Sequence, residues 1–161
     1  MMEFVFDHNA LLYMLEQFPR NLGTEVWNIF DKYCKNGKII SHRESQKLLE
    51  QEAVEQATLA WSKSNSTVFR TSTTAEVELL GQMMGNKEFD FLITSRLMQR
   101  RMPEEAPFLL CIAKKHDRVF VYRKNVGRDL WNNVKKVCDN YGIKYMEVED
   151  CLMSLKSFEK L

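Results

Sequence analysis

The sequence predicts a three-layer α/β/α fold with a mainly parallel central sheet. Three observations carry that expectation. Short apolar segments rich in β-favouring residues alternate with helical patterns: strand, helix, helix, strand, helix at the start, and helix, strand, helix, strand, helix at the end. Strands separated by helices pair in parallel, with helices covering both faces. A length of 161 residues, 45% of them hydrophobic, suits one domain with a buried sheet, and neither an internal repeat nor a Pro/Gly/Ser-rich linker divides it.

The elements follow in order. Glu3–Phe6 is mostly apolar and stops at Asp7, the pattern of a buried strand. Asn9–Phe18 carries Leu11, Leu12, Met14, Leu15 and Phe18 at helical spacing and is stopped by Pro19. Gly23–Thr24–Glu25 opens a second helix with Val26, Trp27, Ile29, Phe30, Tyr33 and Cys34 inward, closed by Asn36–Gly37. Lys38–Ile40 is a short strand. Ser41 reads as an N-cap, with Glu44 completing a capping box, and a long polar helix runs on to about Trp61. Thr67–Phe69 forms a brief extended piece in the break that follows. Thr73 or Thr74 caps a helix over Ala75–Met84, and Phe89–Met98 is a further helix.

In the second half, Pro103 with Glu104 and Glu105 starts a helix running through Phe108–Ala113, since Pro and acids suit a first turn. Arg118–Tyr122 is a strand by its β-favouring residues. Asp129–Tyr141 is a helix with Leu130, Trp131, Val134, Val137 and Cys138 inward, closed by Gly142. Ile143–Met146 is a last strand and Val148–Leu155 a last helix.

Charge and cysteines exclude several classes. The formal net charge is +1. Residues 1–80 hold 8 Lys and Arg against 11 Asp and Glu, and residues 81–161 hold 15 against 11, so the second half is mildly basic. Arg96, Arg100, Arg101, Lys114, Lys115, Arg123, Lys124 and Arg128 lie there and offer phosphate contacts, without forming the strong stripe of a dedicated nucleic-acid binder. Cys34, Cys111, Cys138 and Cys151 are irregularly spaced and contain no Cys-x-x-Cys, which argues for buried reduced thiols rather than a zinc site. The start lacks the pattern of a secretory leader, and the longest apolar run, Ala106–Ala113, falls well short of the roughly 20 residues of a membrane span. The expectation is a soluble, cytoplasmic protein that does not contact a membrane. No Gly-rich phosphate loop, Gly-x-Ser-x-Gly or His-Glu-x-x-His occurs, which lowers the weight of hydride, kinase, acyl-transfer and zinc-protease chemistry.

In parallel sheets, ligands sit beyond the C-terminal strand ends. That rule singles out Asp7, the residues after Ile40 and those after Tyr122. Asp7 can bind a hard cation through oxygen, or cap the helix that follows. Glu44 can add a second carboxylate, or serve only its helix. Glu105 and Asp129 open later helices, either as further ligands or as exposed acids that complement the helix dipole. His8 and His42 lie just past strands and read first as surface residues, and His116 has no metal-pair spacing.

Phe4-Val5-Phe6-Asp7-His8-Asn9-Ala10-Leu11-Leu12 resembles the opening of PIN-domain nucleases, where a strand leads into Asp-x-Asn and an apolar helix. Glu105-Ala106-Pro107-Phe108-Leu109-Leu110 and the strand Arg118–Tyr122 resemble the second half of a PIN-like family often encoded in toxin–antitoxin pairs. Val134-x3-Cys138-x3-Gly142-Ile143-Lys144 is similar to the tail of the same family. The resemblance implies a PIN-like fold and a metal-dependent ribonuclease, with RNA as substrate, Mg²⁺ or Mn²⁺ as cofactor, an antitoxin or other protein partner, and a homodimer as one possible assembly. It implies Asp7 as the central metal ligand with Asn9 beside it, and Asp129 as a further acid. The family's second acid falls on Lys47, with Glu44 a turn earlier. Its third falls on Ala106, with Glu105 immediately before, and its strand-ending Thr falls on Tyr122. Two functions follow: a divergent endoribonuclease using Asp7, Glu44, Glu105 and Asp129, or a catalytically degenerate PIN-like interaction or regulatory module.

Overall fold

The computed structural model describes residues 2–21, 23–85, 105–124 and 128–159, with the side chains of 128–130 and 158–159 outside the description. Five strands form one all-parallel sheet in the order β3-β2-β1-β4-β5. They are β1 (Phe4–Phe6), β2 (Ile39–His42), β3 (Phe69–Arg70), β4 (Val119–Tyr122) and β5 (Tyr145–Glu147). The α/β/α expectation holds. The helix expected at Phe89–Met98 lies outside the described residues.

β1 is the middle strand, and its three residues are fully buried. Successive side chains on a strand point to opposite faces. Phe4 and Phe6 therefore join Ile39, Val119 and Val121 in one core, while Val5 joins Ile40 and Phe120 in the other. The first core is covered by α1 (His8–Leu12), α2 (Thr24–Lys35) and α8 (Val148–Glu159), the second by α6 (Ala106–His116) and α7 (Arg128–Tyr141). Met83 of α5 (Thr74–Met84) packs into the second core, and of the two threonines offered as caps it is Thr73 that caps α5, in a capping box with Glu76. Gly142 ends α7 at φ +68, a left-handed conformation that suits Gly.

Four local expectations change. The helix expected over Asn9–Phe18 begins at His8, and its second part, Tyr13–Gln17, is a π-helical turn. Ser41 is not an N-cap: it lies in β2 and donates to the Phe6 carbonyl at 2.6 Å. His42 caps α3 (Arg43–Glu52) instead, its Nδ1 accepting from the Glu44 N–H at 3.0 Å. The helix expected to continue to Trp61 breaks after Glu52 and restarts as α4 (Gln56–Ser64). The cause is tertiary. The Glu16 carboxylate accepts from the N–H groups of Val54 (3.0 Å) and Glu55 (2.9 Å) and from the Thr58 hydroxyl (2.8 Å). It serves the free donors at the start of α4 in place of a local cap. The piece at Thr67–Phe69 resolves into a 3-10 turn (Ser66–Val68) and the short strand β3.

Glu16→Ala leaves those N–H groups without a protein acceptor. It is expected to lower the unfolding free energy by about 1–2 kcal/mol, the range of a lost helix cap, measured by urea titration. A midpoint equal to wild type would show that the carboxylate does not stabilise α4.

Candidate functional site

The strand order reverses at β1: β2 and β3 lie on one side, β4 and β5 on the other. The crevice beyond the strand ends at such a switch point is where doubly wound folds place ligands. Asp7 stands there. Its N–H donates to the Val121 carbonyl of β4 at 3.0 Å, which ties it to both central strands. Asp7 is also the N-cap of α1, Oδ1 accepting from the Ala10 N–H at 2.7 Å. The capping reading of this residue therefore holds. Its other oxygen, Oδ2, is buried and makes no hydrogen bond of ordinary geometry among the described residues, although the Arg123 backbone N–H also stabilises the carboxylate.

Glu105 lies beside it. The expectation of an exposed helix-dipole acid fails, because Glu105 is completely buried at the head of α6. Its Oε1 accepts from the His8 N–H at 2.8 Å, and its Oε2 meets His8 Nδ1 at 2.6 Å. The other ring nitrogen, Nε2, meets Glu52 Oε2 at 2.9 Å. His8 is thus a buried bridge between two carboxylates, not a surface residue. A ring with an acceptor at each nitrogen carries both protons.

The electrostatics follow from this packing. Burial pushes the Asp7 carboxyl well above the usual carboxylate range, and the Glu105 charge pushes the same way. The Ala10 N–H, the His8 charge and the Arg123 N–H pull back only part of that. Burial disfavours the charged form of His8, but the Glu105 hydrogen bond and charge outweigh it, with Asp7 and Glu52 adding, and raise His8 to about 9. Arg123, the residue after β4, stacks over the Tyr13 ring at 4.0 Å and pairs with Glu149 at 3.3 Å.

The remaining expected residues divide. Asn9 lies buried in the first turn of α1, next to the pair. The Glu44 carboxylate pairs with Lys47 at 3.1 Å. Asp129 lies in the first turn of α7, and its side chain is outside the described residues. His42 stacks on Phe108 of α6, ring centroids 4.8 Å apart, and its Nε2 faces the Ser72 hydroxyl at 2.9 Å. Burial lowers its pKa, as suits a neutral ring that accepts from a backbone N–H.

The donor set here is one of oxygens, which suits Mg²⁺ or Mn²⁺. Mg²⁺ commonly uses one or two carboxylates and completes its shell with water and substrate phosphates. Buried Asp7 Oδ2, with Glu105 beside it, meets that minimum. Among the described residues no group of three His, Cys, Asp or Glu forms a metal cage. The residues therefore fit an open, two-carboxylate site.

Fold and site define a doubly wound α/β protein with a buried acidic crevice at its switch point. The chain belongs to the family described as a domain of unknown function (DUF4411), whose pattern matches residues 4–157. No curated protein matches it. No helix among the described residues is long and apolar enough to cross a membrane.

His8 binds its proton more tightly in the folded chain than in the unfolded one. Its stabilising contribution is complete below pH 6.5 and is lost as pH rises through about 9. The raised Asp7 carboxyl acts in the same direction at lower pH. Unfolding free energy, from urea titrations across that window, is expected to fall by about 3 kcal/mol. His8→Gln is expected to flatten the slope, and an unchanged slope would assign the titration to another group.

Proposed function

We propose that this protein is a divergent PIN-like, metal-dependent endoribonuclease with a reduced acidic site built on Asp7 and Glu105. One observation carries the reading: two buried carboxylates, Asp7 and Glu105, lie together at the switch point. Asp7, Glu105 and Glu52 surround a single imidazole, so the crevice has a surplus of acid that a divalent cation would neutralise. The adjacency of β1 and β4 also supports the reading, because it brings the Asp7 strand beside the strand that the resemblance places next to it.

Asp7 and Glu105 would hold the ion. When bound, it supplies a water of lowered pKa and neutralises charge developing on the phosphodiester. His8 fixes Glu105 through two hydrogen bonds and keeps its carboxylate in one orientation. Asn9, in the first turn of α1, is the further ligand that the resemblance implies. Four buried free cysteines support a reducing, cytoplasmic setting.

The second reading, a catalytically degenerate interaction or regulatory module, is favoured by a different observation. His8 occupies both oxygens of Glu105 with its own N–H groups, so the protein's imidazole stands where a second cation would draw on that carboxylate. The pairing of Glu44 with Lys47 removes a further acid from the pool.

Mn²⁺ titration by calorimetry, with cleavage of a single-stranded RNA followed in the same samples, separates the two. The nuclease reading expects one ion bound and cleavage that falls at least about a hundredfold in Asp7→Asn, the loss of a principal transition-state contact. A folded wild type that neither binds Mn²⁺ nor cleaves RNA would overturn it in favour of the module.

A further inference from the structure

A second polar pocket lies at the opposite end of the sheet. Arg118 immediately precedes β4, and its guanidinium donates to the carbonyls of Phe4 (3.2 Å), Lys38 (3.3 Å) and Gly37 (3.0 Å). These groups mark the N-terminal ends of β1 and β2, whereas Asp7 stands at the C-terminal end. Arg70 reaches the same corner: an atom at the Cβ position of Gly37 would lie 3.5 Å from its Nη2. Both arginines, with His116, line a pocket of about 320 Å³.

The charges there are unevenly matched. Glu76 is buried and held by His116 Nε2 (2.8 Å) and by the capping box with Thr73. Burial alone would raise its pKa, but these hydrogen bonds hold it below the usual carboxylate range. Among the described residues Arg118 pairs only with Glu3, at 3.6 Å. Arg118 Nε is buried and has no hydrogen-bond partner among them. Arg70 donates Nε to the Thr67 carbonyl at 2.9 Å and makes no ion pair among the described residues. Burial lowers the Arg118 pKa, Glu3 opposes that, and Arg70 adds to it, so two guanidinium charges press on one another across the pocket.

Thr73 Oγ1 accepts from the Glu76 N–H, and its hydroxyl also serves the Glu76 carboxylate. Thr71 lines the same wall, and Ile40 and Ile112 form an apolar side. Two guanidinium groups match a phosphate dianion better than a carboxylate, because guanidinium forks pair with its several oxygens.

We propose that this pocket binds a phosphate group, held by Arg70 and Arg118, either as free phosphate or as a monoester whose organic part lies against Ile40 and Ile112. The site is independent of the Asp7 crevice.

Calorimetric titration of the full chain in EDTA tests it, with inorganic phosphate in one arm and uridine 5′-monophosphate in the other. Saturable binding is expected, weakened about tenfold or more in Arg70→Gln, the loss expected for one charge-assisted contact. Arg70 is exposed, so its replacement leaves the fold intact, whereas Arg118→Gln would strip donors from three carbonyls. Tighter binding of the nucleotide assigns the site to a monoester, and equal binding assigns it to free phosphate. No binding tighter than about 10 mM in either arm, or equal binding by Arg70→Gln, would overturn the proposal.

Discussion

Two carboxylates, Asp7 and Glu105, are buried beside one another, and much of the surrounding structure serves to make that tolerable. Desolvating an acid costs several kcal/mol unless it is paired or hydrogen-bonded. The chain answers with one imidazole, two helix starts and a third carboxylate. His8 gives both its backbone N–H and its ring to Glu105, then turns its far nitrogen to Glu52 at the end of α3. The Asp7 carboxylate caps α1 with one oxygen and leaves the other without a hydrogen bond of ordinary geometry among the described residues.

The sheet makes this possible. β1 is buried on both faces and hydrogen-bonded on both edges, so the backbone around Asp7 is fixed from four directions. α6 packs against β1, β2 and β4, which sets Glu105 beside Asp7. α3 and α1 pack together, which brings Glu52 to His8. At the opposite end Arg118 ties the starts of β1 and β2 with three carbonyl contacts. Acid at one end and guanidinium at the other give the sheet chemically distinct edges.

Much of the frame was legible. The strand ending at Asp7, the helix over Thr24–Lys35, the Thr73 cap and the Gly142 stop all rest on signals within a few residues of one another. The break after Glu52 was not legible, because the acceptor that restarts the helix is Glu16, about 40 residues earlier. Ser41 looked like a cap because Glu44 lies three residues on. Its register opposite the end of β1 instead turns its hydroxyl to the Phe6 carbonyl, and the imidazole of His42 takes the cap. Glu105 looked like an exposed first-turn acid because the sequence does not carry the position of His8, 97 residues away.

By itself the sequence determined the α/β class, the order of elements and the placing of an acid at the end of the first strand, since each depends on local periodicity and short-range caps. Only the tertiary structure decided which acids share a site. That choice depends on desolvation and on pairing across long sequence separations, where a carboxylate set against an imidazole and one set against Lys47 look alike in the chain. It joined Glu105 and His8 to Asp7, and it turned Glu44 to a lysine.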